Sequence, residues 1–154
     1  MKAHSRWYDD IVKEINLHKD ILSKKDVKKY KLDLLLRVAR RVDSFSSGCG
    51  ECQMLQPDIT QLTQDLGYLA QWSKEKRKSY FKAINNIIKH LQKQHKLVSE
   101  GHYIGIGMAI GVGIGTAIGA ALDNPGAGTG IGTAIGLAIG GYLDKKAKKE
   151  GRVI

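Results

Sequence analysis

The sequence lacks the features that mark small secreted proteins. Two cysteines among 154 residues are too few for a disulfide framework. The first stretch, MKAHSRWYDDIVKE, contains no apolar run, so we expect no cleavable signal peptide. Neither end of the sequence carries a lipidation motif. We therefore expect most of the chain to lie in the cytosol, where its thiols are reduced.

The residue patterns that identify most enzymes are missing as well. No glycine-rich phosphate loop follows a strand-like segment, and no nucleophile stands beside paired carboxylates. The five histidines form no catalytic pattern. The sequence therefore predicts a protein that is not an enzyme.

Charge is almost absent from one long stretch. Residues 103–143 contain a single charged side chain, Asp123, and hold 13 of the 18 glycines. Residues 1–100, by contrast, carry 20 Lys and Arg against 12 Asp and Glu, and the tail 144–154 is again basic. This division predicts a basic cytosolic domain, an apolar segment and a basic tail.

Apolar residues at helical spacing predict four amphipathic helices in residues 1–100. The second helix is expected to open at a Ser23 cap and the fourth at a Ser73 cap, while Pro57 suits the first turn of the third. Residues 46–57 are then a loop that carries both cysteines. The predicted fold class is all-α, an N-terminal helical bundle followed by a two-helix glycine-zipper transmembrane hairpin.

The apolar segment repeats glycine at every fourth position in two spans, 103–122 and 126–143, joined by a tight turn. As helices these spans are about 30 Å and about 27 Å long, close to the thickness of a bilayer core. A period of four places the glycines on one helical face, where another backbone can approach closely. The repeating glycines are Gly107, Gly111, Gly115 and Gly119 in the first span and Gly128, Gly132, Gly136 and Gly140 in the second.

Each span also carries a second stripe of small residues on a different face, beginning at Gly105 in the first and at Gly130 in the second. A lone hairpin needs one close-packing face per helix, so we expect hairpins to associate side by side into an oligomer. Other interpretations of the same segment are a soluble buried helix pair, a strand or a disordered segment.

Lysines flank the two spans and are absent from the turn between them. By the positive-inside rule, both termini are expected in the cytoplasm and the turn on the other side. The same lysines are expected to contact anionic headgroups at the membrane surface. They are Lys93 and Lys96 before the spans, and Lys145, Lys146, Lys148 and Lys149 after them.

The GxxxGxxxG runs resemble those of bacterial glycine-zipper membrane proteins, over about residues 105–141 and nowhere upstream. The resemblance implies membrane insertion and oligomerisation, in some members with pore formation.

Cys49 and Cys52 form a CxxC motif that is open to three interpretations. It is half of a zinc site completed by His90 and His95, a redox or disulfide pair, or two cysteines without a special role. Against zinc, residues five apart on a regular helix diverge by about 140°, so the helix carrying both histidines would have to break. Apart from this zinc, no cofactor is expected.

These observations favour a self-associating integral membrane protein, pore-forming or membrane-permeabilising, whose bundle regulates assembly or binds a protein partner. The alternatives are a membrane-anchored adaptor whose hairpin is only a tether, and a soluble helical interaction protein. The expected partners are membrane lipids and further copies of the chain. Basic runs such as Lys28 to Lys31 are assigned to solvent or the lipid surface, so a nucleic-acid partner is not expected.

Overall fold

The computed structural model describes residues 5–154; the first four residues of the predicted bundle lie outside the described part. The all-α class is confirmed, since residues 5–154 form seven α-helices and one 3₁₀ helix and contain no strand. The described chain divides into two compact units, residues 5–95 with Ile154, and residues 96–153. The elements are α1 (Arg6–Ile21), α2 (Lys24–Lys29), α3 (Leu32–Ser46), α4 (Gly50–Asp65), the 3₁₀ helix (Leu66–Gln71), α5 (Lys74–His95), α6 (His102–Ala121) and α7 (Pro125–Lys149).

The first unit is a helical bundle built on apolar stripes. The Ser23 and Ser73 hydroxyls accept hydrogen bonds from the third residue beyond them, which confirms both predicted caps. Helices α1, α3, α4 and α5 each bury one face against the others. Fully or nearly fully buried core side chains include Ile11, Ile15, Leu32, Leu35, Val38, Val42, Ile59, Ile84, Ile87 and Leu91.

The first unit contains five α-helices where the sequence predicts four. The predicted second helix breaks at Tyr30 and Lys31, and Lys31 adopts the left-handed conformation with φ 54°. The break places the Tyr30 ring in an aromatic cluster with Trp72 and Phe81. The buried Tyr80 hydroxyl donates to the Tyr30 carbonyl at 3.1 Å. This tertiary contact therefore overrides the local helical pattern.

The prediction of a loop over residues 46–57 is wrong. Helix α3 continues to Ser46, the next three residues make the turn, and α4 begins at Gly50 with Cys49 as its N-cap. Pro57 lies inside α4, where it removes one backbone hydrogen bond, and not in the first turn. The CxxC motif is consequently fixed at a helix N-terminus.

The second unit pairs α6 with α7 in antiparallel orientation. Asp123 takes a left-handed conformation in the turn, and the Asn124 side chain caps α7 by accepting from the Ala127 N–H at 3.1 Å. Pro125 is the first residue of α7, where its missing N–H costs nothing.

The tail 144–154 is not a separate segment. Helix α7 continues through Lys149 and ends in a Schellman motif around Gly151, whose φ is 68°. In this motif the Arg152 N–H donates to the Ala147 carbonyl at 2.9 Å. The Arg152 carbonyl then accepts from the Val98 N–H at 2.8 Å, which returns the tail to the start of the unit.

Candidate functional site

The glycines that repeat at every fourth position lie between α6 and α7. A Cβ atom built on Gly115 would lie 2.9 Å from the Cα of Gly132, and one built on Gly111 would lie 2.9 Å from the carbonyl carbon of Gly132. Side chains essentially never come so close to another backbone, so only glycine permits this separation. All eight repeating glycines make such contacts within the chain.

The second stripe of small residues is open. A Cβ atom on Gly105, Gly113 or Gly130 would meet no atom within 4 Å. The two stripes of each helix therefore differ: one contacts the partner helix of the pair, and the other faces outward.

Polar groups of the helix pair are bonded internally. The hydroxyls of Thr116 and Thr129 lie 2.7 Å apart across the two helices, and each also lies 2.7 Å from a carbonyl of its own helix. Asp144 on α7 accepts hydrogen bonds from the Tyr103 and Ile104 N–H groups, both at 3.1 Å. Asp144 thereby satisfies donors at the N-terminus of α6 that the helix itself leaves unpaired.

Much of the outer surface of the helix pair is apolar and uncovered. Along one side runs a groove of about 610 Å³ between isoleucines of the two helices. The exposed large side chains on α6 and α7 include Ile106, Ile110, Ile114, Ile118, Ile131, Ile135 and Ile139.

Among residues 5–154, α6 is the one helix long and apolar enough to cross a membrane by length and composition, which on its own is weak evidence. Only 11% of its most apolar stretch is buried. Helix α7, which contains the second predicted span 126–143, falls short because glycine and threonine dilute its apolar side chains. The fold therefore provides one candidate span where the sequence predicts two.

The basic residues predicted at the membrane surface are exposed. Lys93 lies in the last turn of α5 and Lys96 follows that helix, while the other four lie near the end of α7. Those four are Lys145, Lys146, Lys148 and Lys149.

A second candidate site lies in the first unit, where Cys49, Cys52, His90 and His95 come together. Their ligand atoms all lie within 4.8 Å of one another, so the cluster can hold a metal ion such as zinc. The Cys52 Sγ lies 3.3 Å from the Nε2 atoms of both histidines, and the Cys49 Sγ lies 3.6 Å from the His90 Nε2.

Both histidines lie near the end of α5, and their Nε2 atoms approach the same cysteine. His95 is the last residue of α5, which runs unbroken from Lys74, and Lys96 follows with φ 54°. The His95 ring stacks on Phe45 of α3 with ring centroids 3.9 Å apart. The predicted break between the two histidines is therefore absent, and their side chains converge on Cys52 without it.

Glu51 and Phe45 complete the cluster, and sequence reasoning missed both. The Glu51 carboxylate lies 3.0 Å from the His90 Nδ1. An Nδ1–H that donates to Glu51 leaves the Nε2 lone pair pointing at the cysteines. The only signal in the sequence was the position of Glu51 inside the CxxC motif.

Cys52 is not an activated thiol. Burial and the neighbouring Cys49 raise the pKa of Cys52 to about 12, whereas the attacking thiol of a redox pair has a lowered pKa. Burial and the nearby His90 lower the pKa of His95. A neutral imidazole is the form that binds metals.

No protein-family model matches the chain, and no significant similarity was found to curated proteins or to solved structures. The candidate sites therefore have to be interpreted from their own geometry.

Proposed function

We propose that this chain is a membrane protein that inserts its C-terminal helix pair into a bilayer and self-associates there, while the basic N-terminal bundle stays in water. The observation that carries the proposal is the uncovered apolar surface of α6. Twenty helical residues span about 30 Å, the thickness of a bilayer core.

The exposure of α6 supports a membrane over a water-soluble core. An apolar helix of this length in a soluble protein is mostly buried, whereas 11% of the most apolar stretch of α6 is covered. Contiguous apolar surface of this extent is costly in water and marks an interface with lipid or protein.

The interior of the helix pair also suits lipid. Tight contacts between small residues drive helix association in membranes, where the hydrophobic effect between helices is absent. The threonine hydroxyls and the N-terminal amides of α6 have partners within the pair. Few polar groups would then have to be buried unpaired, which is the main requirement for residence in hydrocarbon.

Pairing of α6 with α7 makes the hairpin the inserted unit. Although α7 is less apolar than α6, its backbone is covered by α6 along the glycine face. We propose that both helices cross the membrane, with both termini in the cytoplasm beside Lys145 and Lys146. The lysines then lie at the anionic surface, where each contributes about 1 kcal/mol.

Self-association is assigned to the two outward stripes, which contain Gly105 and Gly113 on α6 and Gly130 on α7, because the repeating glycines are already used inside the pair. Pore formation has less support than association. A pore needs a polar lining, but the spans carry no ionisable side chain and the Thr116 and Thr129 hydroxyls bond to each other.

Insertion is tested by reconstituting the full chain into phosphatidylcholine and phosphatidylglycerol vesicles and washing them with alkaline carbonate. We expect the chain to stay in the vesicle pellet and its C-terminal helices to resist added protease. Release into the wash would overturn the proposal and favour a soluble or peripheral protein.

Association is tested by crosslinking in the same vesicles with the variant Gly113→Leu and the matched variant Gly48→Leu, since neither position contacts another atom within 4 Å. Gly48 lies in the turn between α3 and α4, outside the helix pair. We expect Gly113→Leu alone to reduce oligomers. If the unmodified protein is monomeric, self-association is refuted and the membrane-anchored adaptor is favoured. If the vesicles leak an entrapped dye, pore formation is favoured.

A further inference from the structure

We infer that Cys49, Cys52, His90 and His95 form a structural zinc site that joins the N-terminus of α4 to the C-terminal end of α5. The four donors come from two helices and converge on one point inside the first unit. The inference is independent of the proposed membrane function, because all four residues lie in the bundle.

The separations between donor atoms match a tetrahedral zinc ion. With bonds of about 2.3 Å to sulfur and about 2.05 Å to nitrogen, a sulfur and a nitrogen on the same zinc lie about 3.6 Å apart. Three of the four sulfur–nitrogen separations in the cluster are 3.3, 3.3 and 3.6 Å, and the fourth is at most 4.8 Å. A metal therefore fits after small adjustments of the side chains.

Hydrogen bonding alone explains the cluster less well. Cys52 is fully buried and its sulfur faces both Nε2 atoms. Its one proton serves one nitrogen, and the other nitrogen can only donate to the sulfur, which is a weak acceptor. The His90 Nδ1–H faces Glu51, so the His90 Nε2 offers a lone pair and no proton to the sulfurs. A cation at the centre satisfies all four donors at once.

The surroundings indicate a structural rather than a catalytic site. Four protein ligands complete the tetrahedral shell of zinc and leave no position for water or substrate. Two sulfur and two nitrogen donors favour zinc over magnesium or calcium, which prefer oxygen. Glu51 orients His90 from the outside, and Phe45 stacks on His95.

The test is metal analysis of the full chain, purified in detergent, exposed to zinc and dialysed. We expect one zinc per chain in the unmodified protein, and almost none in Cys52→Ser and in His90→Gln. The matched control His102→Gln alters an exposed histidine outside the cluster and should keep its zinc. Absence of zinc from the unmodified protein, or equal loss in the control, would overturn the inference.

A second measurement uses only the unmodified protein, so it does not depend on whether the variants fold. X-ray absorption at the zinc edge should show two sulfur ligands at about 2.3 Å and two nitrogen ligands at about 2.0 to 2.1 Å. Cobalt in place of zinc should give the visible spectrum of a tetrahedral sulfur–nitrogen site. A shell of oxygen or nitrogen alone would mean adventitious surface binding and would refute the site.

Discussion

The two units of the chain hold their helices together by opposite means. The bundle interlocks large side chains such as Ile15 and Leu35, which are fully buried between helices. The C-terminal pair has no such side chains between its helices, and glycine backbones touch where a core would be. In the bundle the large apolar side chains are turned inward and in the pair they are turned outward, which is the arrangement expected if the pair lies in the proposed bilayer.

The largest effect is expected when a side chain is placed between α6 and α7, because this tests whether backbone contact holds the pair together. A Cβ on Gly132 already lies 2.8 Å from the Cα of Gly115, so Gly132→Leu forces two backbones apart, and no rotamer relieves the conflict. We expect the pair to separate. Selective glycine labelling should show Hα–Hα contacts across the helices in the unmodified protein in micelles and none in the variant.

Gly130→Leu is the matched control, because a side chain there enters open space. It should keep the glycine contacts. If both variants behave alike, the close approach of the backbones does not hold the pair together.

The stability of the bundle should fall when a buried side chain is shortened, whereas the helix pair is disturbed when a side chain is added. Leu35 is fully buried, so Leu35→Ala should cost about 2 to 5 kcal/mol of the free energy of unfolding, or at least about 8 °C in Tm. Both tryptophans lie in residues 5–95, so their fluorescence reports on this unit.

Leu17→Ala removes the same atoms from a side chain that is 59% exposed, and it should change stability by less than about 0.5 kcal/mol. Equal effects of the two changes would mean that the bundle is not held by its core.

The proposed zinc site is a further difference between the two units, since the metal would crosslink two helices of the bundle. Glu51→Gln removes the carboxylate that orients His90, and we expect zinc affinity to fall about 10- to 100-fold. Competition with a chromophoric chelator measures the Kd. Asp58→Asn, an exposed acid on the same helix, should leave the Kd unchanged. Equal Kd values for Glu51→Gln and the unmodified protein would remove Glu51 from the site.

Local patterns carried the prediction of the all-α class and of the caps at Ser23 and Ser73, because helical periodicity and capping depend on neighbours in sequence. The break at Lys31 was missed because its cause is distant: Tyr30 leaves the helix to join Trp72 and Tyr80. Pro57 was misplaced because a proline inside a helix is rare, although the burial of α4 compensates for it here.

The candidate metal site was half predictable. The spacing of the four ligands was visible in the sequence, but regular helix geometry argued against His90 and His95 meeting. The two side chains nevertheless meet at Cys52 from an unbroken helix, and the spacing of residues does not reveal such a side-chain placement. Asp144 is a similar case, since it caps a helix 40 residues away in sequence.

The smallest expected effect tests whether backbone contact is sufficient for the helix pair. Thr116→Val removes the side-chain hydrogen bond to Thr129 across the helices and keeps the shape of the residue. Such bonds in membranes contribute about 0.6 kcal/mol on average and at most about 1.7. Unfolding in mixed micelles should register a loss in that range, with Thr133→Val as the control because Thr133 bonds to a carbonyl of its own helix. A loss well above about 2 kcal/mol would mean that side chains hold this unit too, and the contrast with the bundle would then be one of degree.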